Sequence, residues 1–172
     1  MCQKNKSDDL KKVNFDRYVA YLDSPIGLLE IQSEQEKIVE LNFRKEKRYK
    51  EQLDSTLIEA QKQLNDYFNG ERKEFDLALK ITGTEFQKDV WRELMKIPYG
   101  DTVSYKDIAI AIGNNNACRA VGNANNKNQL PIIIPCHRVV GSNGLGGYGA
   151  GVSRKKWLLE HEKSNLKGDF HE

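Results

Sequence analysis

The hydrophobic period of this 172-residue chain changes near its middle, and that change limits the fold more than any other feature. Up to about Phe43 the apolar residues fall into short runs: Tyr18-Val19-Ala20-Tyr21-Leu22, Gly27-Leu28-Leu29-Glu30-Ile31 and Ile38-Val39-Glu40-Leu41-Asn42-Phe43. A turn signal at Asp23-Ser24-Pro25 and a polar break from Ser33 to Lys37 separate the runs, which predicts three strands. Between Leu53 and Phe68 the spacing Leu53, Leu57, Ala60, Leu64, Phe68 is helical, and Gly70 stops it. Phe75 to Leu79 predicts one more strand.

After Thr82-Gly83 the period is helical. Thr84 with Gln87 forms a capping-box pattern, and Phe86, Val90, Leu94 and Ile97 line one face until Pro98-Tyr99-Gly100. Ser104 with Asp107 repeats the device ahead of a short helix through Ile108 and Ile112. A third helix fits Ala117 to about Asn126, and a fourth begins near Ser153 with Trp157, Leu158 and His161. The expected architecture is therefore α+β, with a small α/β scaffold over residues 1–82 and a mainly helical domain over 83–172.

The two short helices joined by Gly113-Asn114-Asn115-Asn116 have helix-turn-helix shape. An ordinary helical hairpin shares that spacing, so the composition of the second helix matters. Ala117 to Asn126 is rich in Ala and Gly and carries a single early charge, Arg119. A base-reading helix of the major groove would offer several long polar side chains near its start. Small residues suit the close backbone approach that a narrow minor groove demands.

Charge is distributed unevenly. Residues 1–79 hold 14 basic and 16 acidic side chains, residues 80–172 hold 13 and 9, and Gly100 to Lys156 holds 7 and 2. This basic zone is the footprint of a face that meets a polyanion. No stretch approaches the roughly 18 apolar residues of a membrane span. The start Met-Cys-Gln-Lys-Asn-Lys has no signal-like apolar core, so an intracellular location is expected: cytoplasmic, or nuclear in a eukaryote. Cys2, Cys118 and Cys136 form an odd, sparse set with no Cys-x-x-Cys spacing, which argues against a disulfide framework and a four-ligand zinc site. Cys2 reads as a bystander and Cys118 as a helix-packing residue.

Cys136 differs. It lies in Ile134-Pro135-Cys136-His137-Arg138-Val139-Val140-Gly141, inside the basic zone. A cysteine after an apolar run such as Ile132-Ile133-Ile134 is ordinarily core filler. An adjacent imidazole and guanidinium are what a core cysteine lacks, and they are expected to favour the thiolate.

Pro135 to Gly141, followed by Gly144-Leu145-Gly146-Gly147-Tyr148-Gly149-Ala150-Gly151, resembles the signature of the O6-alkylguanine-DNA alkyltransferases, or methylated-DNA–protein-cysteine methyltransferases. The resemblance extends through Val103-Ser104-Tyr105, Arg119-Ala120-Val121-Gly122 and Trp157-Leu158-Leu159-Glu160-His161-Glu162, covering about half the chain in the family's order. It implies a ribonuclease-H-like α/β domain followed by a winged-helix-like DNA-binding domain with a helix-turn-helix.

It also implies irreversible transfer of the alkyl group from O6-alkylguanine to Cys136, once per protein, with O4-alkylthymine as a further candidate substrate. Cys136 is then the acceptor, and His137 the base acting through a water. Glu162 holds the other ring nitrogen, and Tyr105 neutralises guanine N3 as O6 departs. Arg119 fills the stack vacated by a flipped base, with Ser104, Ala120, Gly122 and Arg138 also on DNA. Asn128, Val139, Tyr148 and Gly149 line the substrate pocket. Flipping is expected because in-line attack at O6 inside a paired duplex is sterically blocked. The implied partner is alkylated double-stranded DNA, met from the minor groove by a monomer, with no membrane, no cofactor and no metal.

Two departures stand out: Gln129 follows Asn128 where the family usually has proline, and Ala150 stands where glycine is usual. The first bears on turn rigidity, the second on which bulky alkyl groups fit. Three other readings compete. A non-enzymatic sensor resembling the alkyltransferase-like proteins would lack the reactive cysteine. A cysteine hydrolase would leave the helix-turn-helix unexplained, and a transcriptional regulator would need more base-reading side chains.

Overall fold

The computed structural model describes residues 10–12 and 16–168; Cys2 lies outside them. The chain divides into two compact units, residues 1–80 and 81–172.

The first unit is an antiparallel meander, β1 (Arg17–Ser24), β2 (Gly27–Glu34) and β3 (Lys37–Arg44), with α1 (Ser55–Phe68) against it. Ser24 pairs with Gly27 across a tight Pro25-Ile26 turn, and the second turn places both Gln35 and Glu36 at positive φ. A turn with both central residues at positive φ, as at Gln35-Glu36, matches the twist of the strands it joins. Asp54 caps α1 by accepting from Leu57 N at 2.8 Å, and the helix buries Leu57, Ala60, Leu64, Tyr67 and Phe68.

Glu30 projects from β2 into the interior and is fully buried. Arg44, Arg48, Tyr21 Oη and Gln32 all donate to it, the shortest contact being 2.6 Å from Arg48. Burial alone would raise its pKa, but the hydrogen bonds of Arg48, Tyr21 and Arg44 outweigh that and hold it at about 2.

The strand expected over Phe75 to Leu79 is reduced to one bridge, Leu79 to Ile38. Gln63 explains the loss: its amide donates to Asp76 O at 2.9 Å and accepts from Asp76 N at 2.8 Å. A side chain from α1 thus takes the backbone groups a neighbouring strand would use.

The second unit contains α2 (Glu85–Leu94), β4 (Val103–Ser104), α3 (Tyr105–Ala111), α4 (Cys118–Asn126), β5 (Val139–Val140) and α5 (Val152–Gly168). β4 and β5 pair in parallel. Both capping boxes form. Thr84 N donates to Gln87 Oε1 at 3.0 Å, and Ser104 N donates to Asp107 Oδ2 at 2.7 Å. The helix expected to run to Ile97 ends at Leu94; Lys96 and Ile97 continue as tight turns bonded to Glu93 and Leu94. α3 and α4 pack on each other and on α2, and Trp91 Nε1 donates to Ala124 O at 3.0 Å, anchoring α4. Among the described residues, no helix is long and apolar enough to cross a membrane.

Candidate active site

Between α4 and β5 the chain makes a compact, strained connection. Ile132, buried and β-branched, sits at φ +75, and Ile134 N closes the turn on Leu130 O at 2.8 Å. A β-branched residue there persists only when its surroundings hold it. Asn128 does much of the holding: Oδ1 accepts from Leu130 N at 2.9 Å, while Nδ2 donates to Ile134 O at 2.8 Å and lies 3.2 Å from Cys136 Sγ. The brace exists with Gln129 following Asn128.

Cys136, His137 and Arg138 form a single 3-10 turn rather than a strand. All three side chains are buried. The thiol, expected from its neighbours to favour the thiolate, is instead pushed up to about 11 by burial, against the lowering influence of Asn128 and Lys155. Arg138 contributes nothing comparable, because its guanidinium is directed elsewhere.

Arg138 corrects the sequence reading in a second way. Expected on DNA, it is 6% exposed. Nε donates to Glu162 Oε2 at 3.0 Å, one terminal nitrogen to Glu162 Oε1 at 2.9 Å, and the other to Ile97 O at 2.7 Å. Its hydrogen-bonding capacity is used inside the unit, and its planar fork explains why arginine serves here.

Glu162, also fully buried, receives Gly100 N at 3.0 Å and lies 2.8 Å from His137 Nε2. Burial alone would raise this carboxyl, but His137 and Arg138 outweigh it and hold it below the usual carboxylate range. An ionised carboxylate only accepts, so Nε2 carries the ring proton and Nδ1 is the bare acceptor. Burial lowers the His137 pKa, keeping the imidazole neutral. Nδ1 itself is buried and has no hydrogen-bond partner.

Tyr105 opens α3, and its ring packs so closely on Gly146 that a Cβ there would come within 2.8 Å of Oη. Gly146 also sits at φ +72, so glycine is required on both counts. Burial, then the Cys136 charge, raise the Tyr105 pKa. Tyr148 shows the same pair of influences more strongly, and its hydroxyl is buried without a partner. Val139 is buried, and a Cβ on Gly149 would meet Asn126 at 3.8 Å. Arg119 and Ala120 are exposed on α4, Gly122 faces the Tyr105 ring, and the Ser104 hydroxyl donates to Asp107 at 2.7 Å. A groove of about 490 Å³ between the start of α2 and α4 includes Gln87, Ala120, Asn123 and Lys127.

Sequence reasoning missed Lys155. It is fully buried, with Nζ donating to Val139 O at 2.6 Å and Gly147 O at 3.1 Å and lying 5.8 Å from the centre of the Tyr105 ring. Burial lowers its pKa, opposed by the Cys136 charge. The spacing Lys155, Leu158, Glu162 on one helical face was the available signal. Among the described residues, no cluster of His, Cys, Asp and Glu could hold a metal ion.

Residues 17–81 match the family described as "6-O-methylguanine DNA methyltransferase, ribonuclease-like domain", and residues 85–164 its "DNA binding domain". The methylated-DNA–protein-cysteine methyltransferase of Methanosarcina acetivorans is 48% identical over 154 residues, covering 86% of this chain and 99% of that one. The crystal structure of Mycobacterium tuberculosis O6-methylguanine methyltransferase superposes with a TM-score of 0.79 at 44% identity, covering 87% and 94% of the two chains. The M. tuberculosis OGT structure in complex with DNA gives a TM-score of 0.77 at 45% identity, over 84% and 92%. With both family domains matched in order and near-complete relatives at this identity, the chain belongs to the 6-O-methylguanine DNA methyltransferase family.

Proposed function

We propose that this protein repairs DNA by direct reversal, moving the alkyl group of O6-alkylguanine onto Cys136 in one irreversible event per molecule. The observation that carries the reading is a buried thiol braced by Asn128, next in the chain to a neutral imidazole whose bare Nδ1 is backed by ionised Glu162. Nucleophile, base and orienting carboxylate is the arrangement nucleophilic catalysis needs.

In the proposed reaction the Cys136 proton passes through a bridging water to His137 Nδ1, and Glu162 stabilises the resulting imidazolium. The sulfur then attacks the alkyl carbon in line with O6. A carbon–sulfur bond forms, the carbon–oxygen bond breaks, and its electron pair stays on the purine. Tyr105 Oη supplies a proton to N3 and is reprotonated from His137 by way of solvent, so guanine leaves neutral. A thioether has no hydrolytic exit, which makes the event single-use.

The lesion reaches the thiol as a flipped nucleotide, with the protein acting as a monomer from the minor groove. Exposed Arg119 on α4 fills the emptied place in the stack, while Ala120 and Gly122 let the backbone come close and Ser104 fixes the start of α3. Tyr148 and Gly149 close over the base, with Val139 and Asn128 forming the wall behind the sulfur.

Incubation with a duplex carrying O6-methylguanine should add one methyl mass to the peptide containing Cys136, with lesion loss equal to modified protein. Repeated turnover by unmodified protein would refute the stoichiometric reading.

A further inference from the structure

In the second unit, the described side chains with buried polar atoms lacking any hydrogen-bond partner are Asn125, His137 and Tyr148. His137 and Tyr148 already belong to the proposed chemistry. Asn125 does not, and it is unpaired at both Nδ2 and Oδ1. A buried amide left without partners costs the desolvation of each atom, so a structural role alone gives no reason to keep it.

Its position gives one. Asn125 lies one helical turn after Gly122, whose missing Cβ would sit 3.8 Å from the Tyr105 ring. The next residue, Asn126, lines the approach to Gly149. Asn128, three residues on, holds the Cys136 sulfur. Asn125 thus occupies the stretch of α4 bounded by Tyr105, the glycine-rich segment and the nucleophile.

We propose that Asn125 reads the flipped base and sets lesion specificity; the proposal rests on the repair function argued above. A carboxamide offers one donor beside one acceptor, and it is satisfied by an edge with the reverse pair. O6-alkylguanine presents that edge, because alkylation removes the N1 proton: N1 accepts from Nδ2 and the 2-amino group donates to Oδ1. Ordinary guanine presents two donors at N1 and N2, leaving Nδ2 unpaired. O4-alkylthymine presents two acceptors at N3 and O2, leaving Oδ1 unpaired. The amide therefore favours the alkylated purine over both the repaired base and the pyrimidine lesion.

The test uses single-turnover methyl transfer to the full-length protein from two duplexes, one with O6-methylguanine and one with O6-methylhypoxanthine, which lacks only the 2-amino group. Wild type should react about tenfold or more faster with the guanine lesion, since sites built to pair a substrate N–H reject analogues without it. In Asn125→Leu that preference should collapse to near unity through loss on the guanine lesion. The melting temperature of the free variant should rise, because the unpaired amide is gone. Asn125→Ala supplies the same rate ratio should the leucine variant fail to fold. A wild-type ratio retained in a folded variant, or a melting temperature lowered by the leucine substitution, would overturn the role of Asn125. Failure of wild type to methylate Cys136 from either duplex would instead remove the repair function itself.

Discussion

Asn128 Nδ2 donates to Ile134 O at 2.8 Å and lies 3.2 Å from Cys136 Sγ, so one amide fixes both the strained turn and the sulfur that follows it. Removing it should loosen nucleophile and backbone together. Asn128→Ala is expected to destabilise the protein by about 1–3 kcal/mol and to slow methyl transfer roughly tenfold or more. Denaturant unfolding and single-turnover kinetics on one preparation check both. Loss of stability with an unchanged rate would show that the sulfur needs no brace.

The pH profile of transfer should be set by His137 rather than by the thiol. Burial lowers the histidine pKa below its ordinary 6.5 and raises Cys136 to about 11. The rate should therefore be flat between about pH 7 and 9 and fall only in acid, once the imidazole protonates. Glu162→Gln should lower the plateau by about a hundredfold, since the amide cannot stabilise the imidazolium as the carboxylate does. A rate that climbs tenfold per pH unit through neutrality would mean that the thiol ionises without the relay.

Arg138 and Arg119 should separate cleanly. Arg138 pairs bidentately with Glu162 inside the unit, so Arg138→Met leaves a buried carboxylate short of its cation and should cost about 3–5 kcal/mol. The salt dependence of DNA binding by the folded fraction should stay unchanged. Exposed Arg119 is the reverse case: Arg119→Ala should leave stability nearly intact and weaken lesion extrusion, read as slower transfer from duplex than from single-stranded DNA. Equal slowing on both substrates would remove its place in the stack.

Glu30 should make the first unit acid-sensitive. Its folded pKa of about 2 lies below the unfolded carboxyl value of 4.5, so its stabilisation is fully present above pH 4.5 and is lost as pH falls toward 2. Glu30→Gln should lower stability at neutral pH and flatten its dependence over that acid range. Parallel urea titrations of both proteins from about pH 2 to 7 decide it, and identical slopes would assign the acid response to other groups.

Features set by neighbours in sequence were legible, whereas those set by folding were not. Thr84 with Gln87 and Ser104 with Asp107 were readable because a capping box spans only four residues. The Phe75–Leu79 strand misled because its alternation is genuine, yet Gln63, from α1, takes the hydrogen bonds of Asp76. Arg138 misled because a guanidinium next to a thiol suggests support for the thiolate, and only the fold brings Glu162, 24 residues later, to its fork. Lys155 and Asn125 are concealed in the sequence for the same reason. Their significance lies in burial, and residue type alone marks a lysine or asparagine as a surface group.

The buried thiol of Cys136 bears on how long the protein lasts before it meets damage. A thiolate attacks the peroxides and disulfides that reach it, and here Cys136 is 5% exposed and its pKa is raised to about 11. Under the proposed single-use transfer, a molecule whose sulfur is oxidised first is lost to repair. A sulfur that keeps its proton while buried gives the unreacted protein chemical endurance: on the proposed mechanism it can wait in a thiol-reactive medium and still be competent when a lesion arrives.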